Sequence, residues 1–200
     1  RLPEGHLIHP GLPEEVYPFK KLAAVGVAFK FASALLAEAR ARHIDIPEGW
    51  EKWLLDLVAI ATVTDVVPLV GENRVLEQYG LKVLNKTKRP GLRALIELAG
   101  LEYGKMDTES IGFALGPRIN AAGRMEHAEL ALRLMLAETE EEARALAQEV
   151  ERCNRERQEA TKQMMIEADE QLRTRYNLSN PPHAIVLWNE SWSPALVGLV

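Results

Sequence analysis

Residues 139–176 read "TEEEARALAQEVERCNRERQEATKQMMIEADEQLRTRY", and the architecture turns on this stretch. Thr139, with Glu142 three residues on, has the form of a capping box and sets a helix N-terminus there. No glycine or proline interrupts the chain again until Pro181. Ala143, Leu146, Ala147, Val150, Cys153, Met164, Met165, Ala168 and Leu172 lie mostly three or four apart, the spacing of one helical face, with charge elsewhere. At 1.5 Å per residue such a helix is roughly 50 Å long. That is too long for one face of one small domain, so the expectation is a bridge between two bodies.

On its C-terminal side, "NLSNPP" ends the helix and "HAIVLW" is a short β-type run of the kind that opens an α/β domain. On its N-terminal side the pattern stays helical. Leu130 to Ala137 forms one piece, and "TESIGFAL", "PGLRALIELAGL" and "ENRVLEQYGLKVLNKT" form three more. "WEKWLLDLVAIATVTDVVPL" is apolar nearly all round over Leu54–Ala61, as in a helix buried on every side. "KKLAAVGVAFKFASALLAEARARH" has an amphipathic spacing with Gly26 on its packing side, where a second backbone passing close by would justify the glycine. The first nineteen residues hold four prolines and read as an extended approach.

Composition bounds the function. Two hundred residues with a net charge of -5 make no general polyanion binder, so nucleic-acid contact needs a local basic patch. Arg74, Lys82, Lys86, Lys88, Arg89 and Arg93 fall in a stretch whose only acid is Glu77; they form either such a patch or a solvated helix face. The single cysteine, Cys153, excludes a disulfide framework and a thiolate zinc site and makes a cytoplasmic setting the default. No apolar run is long enough to span a bilayer. The chain begins at Arg1 without a methionine and stops within an apolar run, so it reads as a piece of a longer protein.

Two places can carry chemistry. Asp65 follows the apolar helix, where a bare carboxylate is costly unless paired, hydrogen-bonded or bound to a metal; a helix cap and an ion-pair partner are the structural alternatives. Asp56, earlier in the same segment, reads equally well as a structural hydrogen-bonder. "GPRINAAGRM", residues 116–125, sets Arg118, Asn120 and Arg124 among glycines and alanines. Small residues let another surface approach, and planar guanidinium forks suit phosphate or carboxylate. The plainer alternative is a loop whose arginines pair with nearby glutamates. The five histidines are scattered, and neither a nucleophile elbow nor a P-loop is present.

Several stretches together resemble the RecJ family of single-strand-specific 5′→3′ DNA exonucleases, within the DHH phosphoesterase superfamily. They are "HPGLPEEVYPFKKLAAVGVAFKFASALL", "LLDLVAIATVTDVVPLVGENRVLEQYGL", "KRPGLRALIELAG", "IGFALGPRINAAGRM" followed by "HAELALRLML", and "AIVLWNESWSPALVGLV". The resemblance implies an α/β protein of which this chain is a mostly α-helical part. Residues 1–137 would be the C-terminal part of a DHH catalytic domain, 138–178 a long connector helix, and 179–200 the start and first strand of a DHHA1 α/β domain. It implies two-metal hydrolysis with Mn2+ or Mg2+, Asp65 as a metal ligand and so a catalytic residue, and Arg118, Asn120 and Arg124 on the DNA, with Arg118 favoured for phosphate. Glu72–Asn73–Arg74 also matches and is read as a cap for the next helix. The implied setting is DNA repair and recombination on single-stranded DNA, as a monomer beside a helicase and a single-strand-binding protein. A phosphodiesterase of short oligonucleotides or cyclic dinucleotides and a non-catalytic DNA-binding relative are the alternatives. The Asp–His–His motif is absent from these residues, Ser193 and Ala195 stand where the family pattern has histidine and glycine, and the 200 residues alone are expected to be inactive.

Overall fold

The amphipathic and apolar stretches fold as a succession of helices in the computed structural model, which describes residues 4–125, 127–179 and 182–199. These are α1 (Ala24–Ala41), α2 (Leu55–Thr64), α3 (Gly71–Leu84), α4 (Pro90–Leu98), α5 (Gly116–Met125), α6 (Ala128–Leu136) and α7 (Glu140–Arg175). A 3-10 turn, Trp50–Leu54, leads into α2, and a π-helical turn, Ser110–Leu115, runs directly into α5. No helix among the described residues is long and apolar enough to cross a membrane.

Close backbone approach holds the helices together, though at glycines other than Gly26. A Cβ on Gly80 of α3 would lie 2.5 Å from the Leu55 carbonyl oxygen, and one on Gly91 of α4 would overlap that of Leu134. At Gly26 the same atom would meet the Leu22 side chain, at 2.7 Å, because α1 is covered by the turn that precedes it. The main core gathers Leu92, Leu95, Leu115 and Leu134, each fully buried, beneath the first half of α7. Each such leucine contributes about 1.5–3 kcal/mol. α7 closes this core with Ala143, Leu146, Ala147 and Val150.

The Thr139 cap forms as its sequence suggests, its hydroxyl accepting from the Glu142 N–H at 3.2 Å. α7 is 36 residues long, or about 54 Å. Its two halves differ. Beyond Asn154 only Met164 is buried among the described residues of the helix, and Met165 is exposed. The distal half instead carries the last segment by polar contacts. The Gln171 amide donates to the Trp188 carbonyl at 3.1 Å, and the Trp192 indole N–H to Glu167 at 2.8 Å.

Three expectations need correction. "HAIVLW" is not a strand: the described part of the chain holds no β-ladder, and Ile185 and Val186 are exposed. A lone β-type run without a neighbouring strand has nothing to take its backbone hydrogen bonds. Glu72 and Asn73 are structural but do not cap α3, whose N-cap position is Val70. From inside the first turn, buried Asn73 accepts from the Ala23 N–H and donates to the Lys21 carbonyl, while Glu72 accepts from the Tyr17 hydroxyl at 2.6 Å. They pin the N-terminal segment. "GPRINAAGRM", finally, is helix rather than loop. Pro117 falls in the first turn, where its missing N–H costs nothing, and the wider π turn feeds into it. Asn180 and Pro181 of "NLSNPP" lie outside the described residues.

Candidate nucleic-acid interface

α2 and α5 meet where both sequence motifs fall. The Thr64 hydroxyl donates to the Ile60 carbonyl at 2.7 Å, and a Cβ on Gly116 would lie 2.7 Å from that same hydroxyl. Glycine at the head of α5 therefore lets its first turn press against the end of α2. Ala121 and Ala122 are fully buried in the same way. The small residues of the motif serve helix packing first, and only exposed Gly123 leaves surface room.

This junction opens into a groove of about 450 Å³ walled by Val63, Thr64, Val66, Thr108, Gly112, Phe113, Pro117, Asn120, Arg124, Arg157 and Leu199. Asp65 stands between two of these residues, as the C-cap of α2. It is exposed, which overturns the burial argument made from the apolar run: the helix end turns out to solvent before the carboxylate is reached. Its carboxylate has no hydrogen bond or ion pair among the described residues. Val66 follows with φ +55, a left-handed conformation that is strained for a β-branched residue.

The arginines divide. Arg118 is committed to the protein: its Nε donates to Glu151 of α7 at 2.7 Å and its Nη1 to the Ala114 carbonyl at 2.9 Å, with both partners of the ion pair largely buried. This is the glutamate-paired alternative, and at this residue it holds. Arg124 is exposed and donates to the Ala195 carbonyl at 2.6 Å. Arg157, which sequence reasoning missed, reaches the groove from α7. Its Nη2 donates to Asn154, but its buried Nε has no acceptor among the described residues. Burial first, then the charges of Arg124 and Arg118, hold the Arg157 guanidinium below the ordinary arginine range. A buried donor left unpaired costs about 1–3 kcal/mol, which an anionic oxygen would offset. Phe113, also missed, projects with 82% of its surface exposed and offers a face on which a base can stack.

A divalent cation fits this site only in part. Asp65 offers unpaired carboxylate oxygens, the donor type that Mn2+ and Mg2+ prefer. Among the described residues, however, no group of three or more His, Cys, Asp or Glu could hold a metal ion.

No family model matches the chain. It is 43% identical over 194 residues to the single-stranded-DNA-specific exonuclease RecJ of Bacillus subtilis, covering 97% of this chain and 23% of that protein. Identity to RecJ of Escherichia coli is 39% over 205 residues, 97% of this chain and 35% of the relative. The chain thus spans between about a quarter and a third of the curated relatives it matches. A crystal structure of RecJ from Thermus thermophilus in complex with Mn2+ superposes with a TM-score of 0.79 at 33% identity, covering 98% of this chain and 28% of that one. A structure of exonuclease RecJ bound to manganese gives the same TM-score and identity over 98% of this chain and 46% of that one.

Proposed function

Because this chain matches RecJ in sequence and fold over nearly its whole length, we propose that it forms part of a metal-dependent single-stranded-DNA exonuclease that hydrolyses phosphodiester bonds in the 5′→3′ direction. One observation carries the reading: Phe113, Asn120, Arg124 and Arg157 line a single groove beside the Asp65 end of α2. Stacking surface and cations at one place suit a strand bound without reading its sequence.

In this reading Arg124 and the unpaired Nε of Arg157 take phosphate oxygens, the Asn120 amide reaches phosphate or sugar, and Phe113 carries a base. Arg118 acts through Glu151, holding α5 on α7 so that Arg124 and Arg157 face the same strand. Asp65 contributes one metal ligand; the others belong to parts of the relatives' length that this chain does not span. A pair of Mn2+ or Mg2+ ions would supply Lewis-acid polarisation of the phosphodiester and a water of lowered pKa. The chain alone is therefore inactive.

The same resemblance supports the division into the end of a DHH catalytic domain (1–137), a connector (138–178) and the start of a DHHA1 domain (179–200). It also supports a monomer at work in DNA repair and recombination in the cytoplasm, alongside a helicase and a single-strand-binding protein.

The test uses the full-length protein with Mn2+ and end-labelled oligonucleotides. Single strands should be degraded and duplexes spared. Arg124→Ala combined with Arg157→Ala should make the log–log salt dependence of single-strand binding shallower by about 1.4, at 0.7 per phosphate contact. Intact single strands would refute the exonuclease reading, and turnover confined to dinucleotides would assign a phosphodiesterase instead.

A further inference from the structure

The basic run between Arg74 and Arg93 does not form one helix face. Arg89 is consumed by Asp56, and Lys82 lies over the Tyr79 ring of its own helix at 4.7 Å. Arg74 stands at the far end of α3, while Lys86, Lys88 and Arg93 gather round the loop between α3 and α4. Lys88 lies 5.2 Å over the Trp53 ring, and the Arg93 guanidinium 5.8 Å from the Tyr103 ring. Thr87 ties these two pairs together: its carbonyl accepts from the Tyr103 hydroxyl, and its hydroxyl donates to Asp56, each at 2.8 Å. Trp53 and Tyr103 are nevertheless 44% and 48% exposed. Neither Lys86 nor Lys88 has a carboxylate within ion-pair distance among the described residues.

We propose that this surface, with Trp53 and Tyr103 as stacking platforms and Lys86, Lys88 and Arg93 as phosphate contacts, is a second single-strand-binding site. It would take the part of a strand that extends beyond the groove. Arg93 keeps only a long, exposed pairing with Glu140 at 3.8 Å, and exposed rings interleaved with available cations are what a sequence-tolerant single-strand site requires. An acidic peptide fits less well, because it could use the lysines but brings no bases to stack on the exposed Trp53 and Tyr103 rings. Buried Asp56 lies beneath this surface and Asp65 beside the groove, so the two sites are separated by the length of α2, about 15 Å. Only a strand long enough to cover that distance engages both.

The inference rests on the single-strand reading of the groove, and the experiment separates the two. In the full-length protein, binding and hydrolysis of oligonucleotides of about four and about sixteen nucleotides, the range of single-strand sites, are compared for wild type, Lys86→Glu with Lys88→Glu, and Trp53→Ala. Both variants should bind the long strand more weakly, the double reversal by about tenfold at low salt with a slope shallower by about 1.4. Both should process the short strand as wild type does, which also reports an intact fold. Equal affinity of wild type and variants for the long strand overturns the second site and leaves the groove untouched. Loss of short- and long-strand binding in equal measure overturns it as well. So does displacement of a bound acidic peptide without any change in long-strand affinity, which would assign the surface to a protein partner. A wild type that binds neither strand refutes the groove reading itself.

Discussion

Helix α2 carries an aspartate at each end, and the two are opposites. Asp56 is 2% exposed and fully engaged, accepting from the Thr87 hydroxyl at 2.8 Å, the Arg89 guanidinium at 3.1 Å and the Leu57 N–H at 2.8 Å. Asp65 is exposed and unpaired among the described residues, beside a strained valine and a groove lined by cations. One carboxylate has spent its hydrogen-bonding capacity on the fold; the other's is unspent among the described residues. From sequence the two look alike, each an acid in an apolar run, and the apolar run drew attention to Asp65 for a burial it does not have. What separates them is the loop at 85–89, which folds back over the start of α2 and leaves the end of α2 open.

The contrast can be broken at several points. Asp56→Ala should have the largest effect on stability, about 3–5 kcal/mol, because it leaves a largely buried arginine and a buried hydroxyl unpaired; urea denaturation measures it, and a loss below about 1 kcal/mol would make Asp56 no more structural than Asp65. Arg118→Ala should cost about 1.5–3 kcal/mol, the worth of hydrogen bonds to a charged group, because Glu151 keeps Arg155 at 3.3 Å, with the salt slope of single-strand binding unchanged. A slope shallower by about 0.7 would return Arg118 to the phosphate-binding role that the resemblance favoured.

Glu77 sharpens the comparison from a third side. It is 4% exposed, both its carboxylate oxygens lack partners among the described residues, and burial pushes its pKa from 4.5 up to about 7. Between those values the folded state holds a proton that the unfolded chain releases. Its contribution is therefore fully present below about pH 4.5, declines as the pH rises and is gone above about 7. Glu77→Gln should flatten the pH dependence of the unfolding midpoint across that window; an unchanged curve would mean that Glu77 finds a partner. Val66→Gly should have the smallest effect, within about 1 kcal/mol, since relief of the left-handed strain opposes the added chain entropy.

Local features were legible in advance. The Thr139 cap, the uninterrupted helix to Arg175 and the buried alanines and leucines on its first half all follow from spacing within a few turns. The site was legible only in part, because its decisive contacts are remote. Arg118 and Glu151 stand 33 positions apart, so nothing local marks which arginine is spent. Arg157 sits within the charged face of α7, where it looks like any solvated side chain. Phe113 lies in an apolar run that reads as core, yet the π turn presents it outward. The run at 183–188 failed as a strand for the complementary reason: β-propensity needs a partner strand to act on.

The most direct measurement compares Asp65→Asn with wild type in the full-length protein, following Mn2+-dependent hydrolysis of single-stranded DNA together with the thermal unfolding midpoint. The substitution keeps the side chain's shape and removes its charge. Hydrolysis should fall by at least about a hundredfold, beyond what loss of a group merely supporting a metal ligand costs, while the midpoint stays where it was. Undiminished hydrolysis would contradict the role given to Asp65, as would a drop in the midpoint large enough to explain the loss of activity.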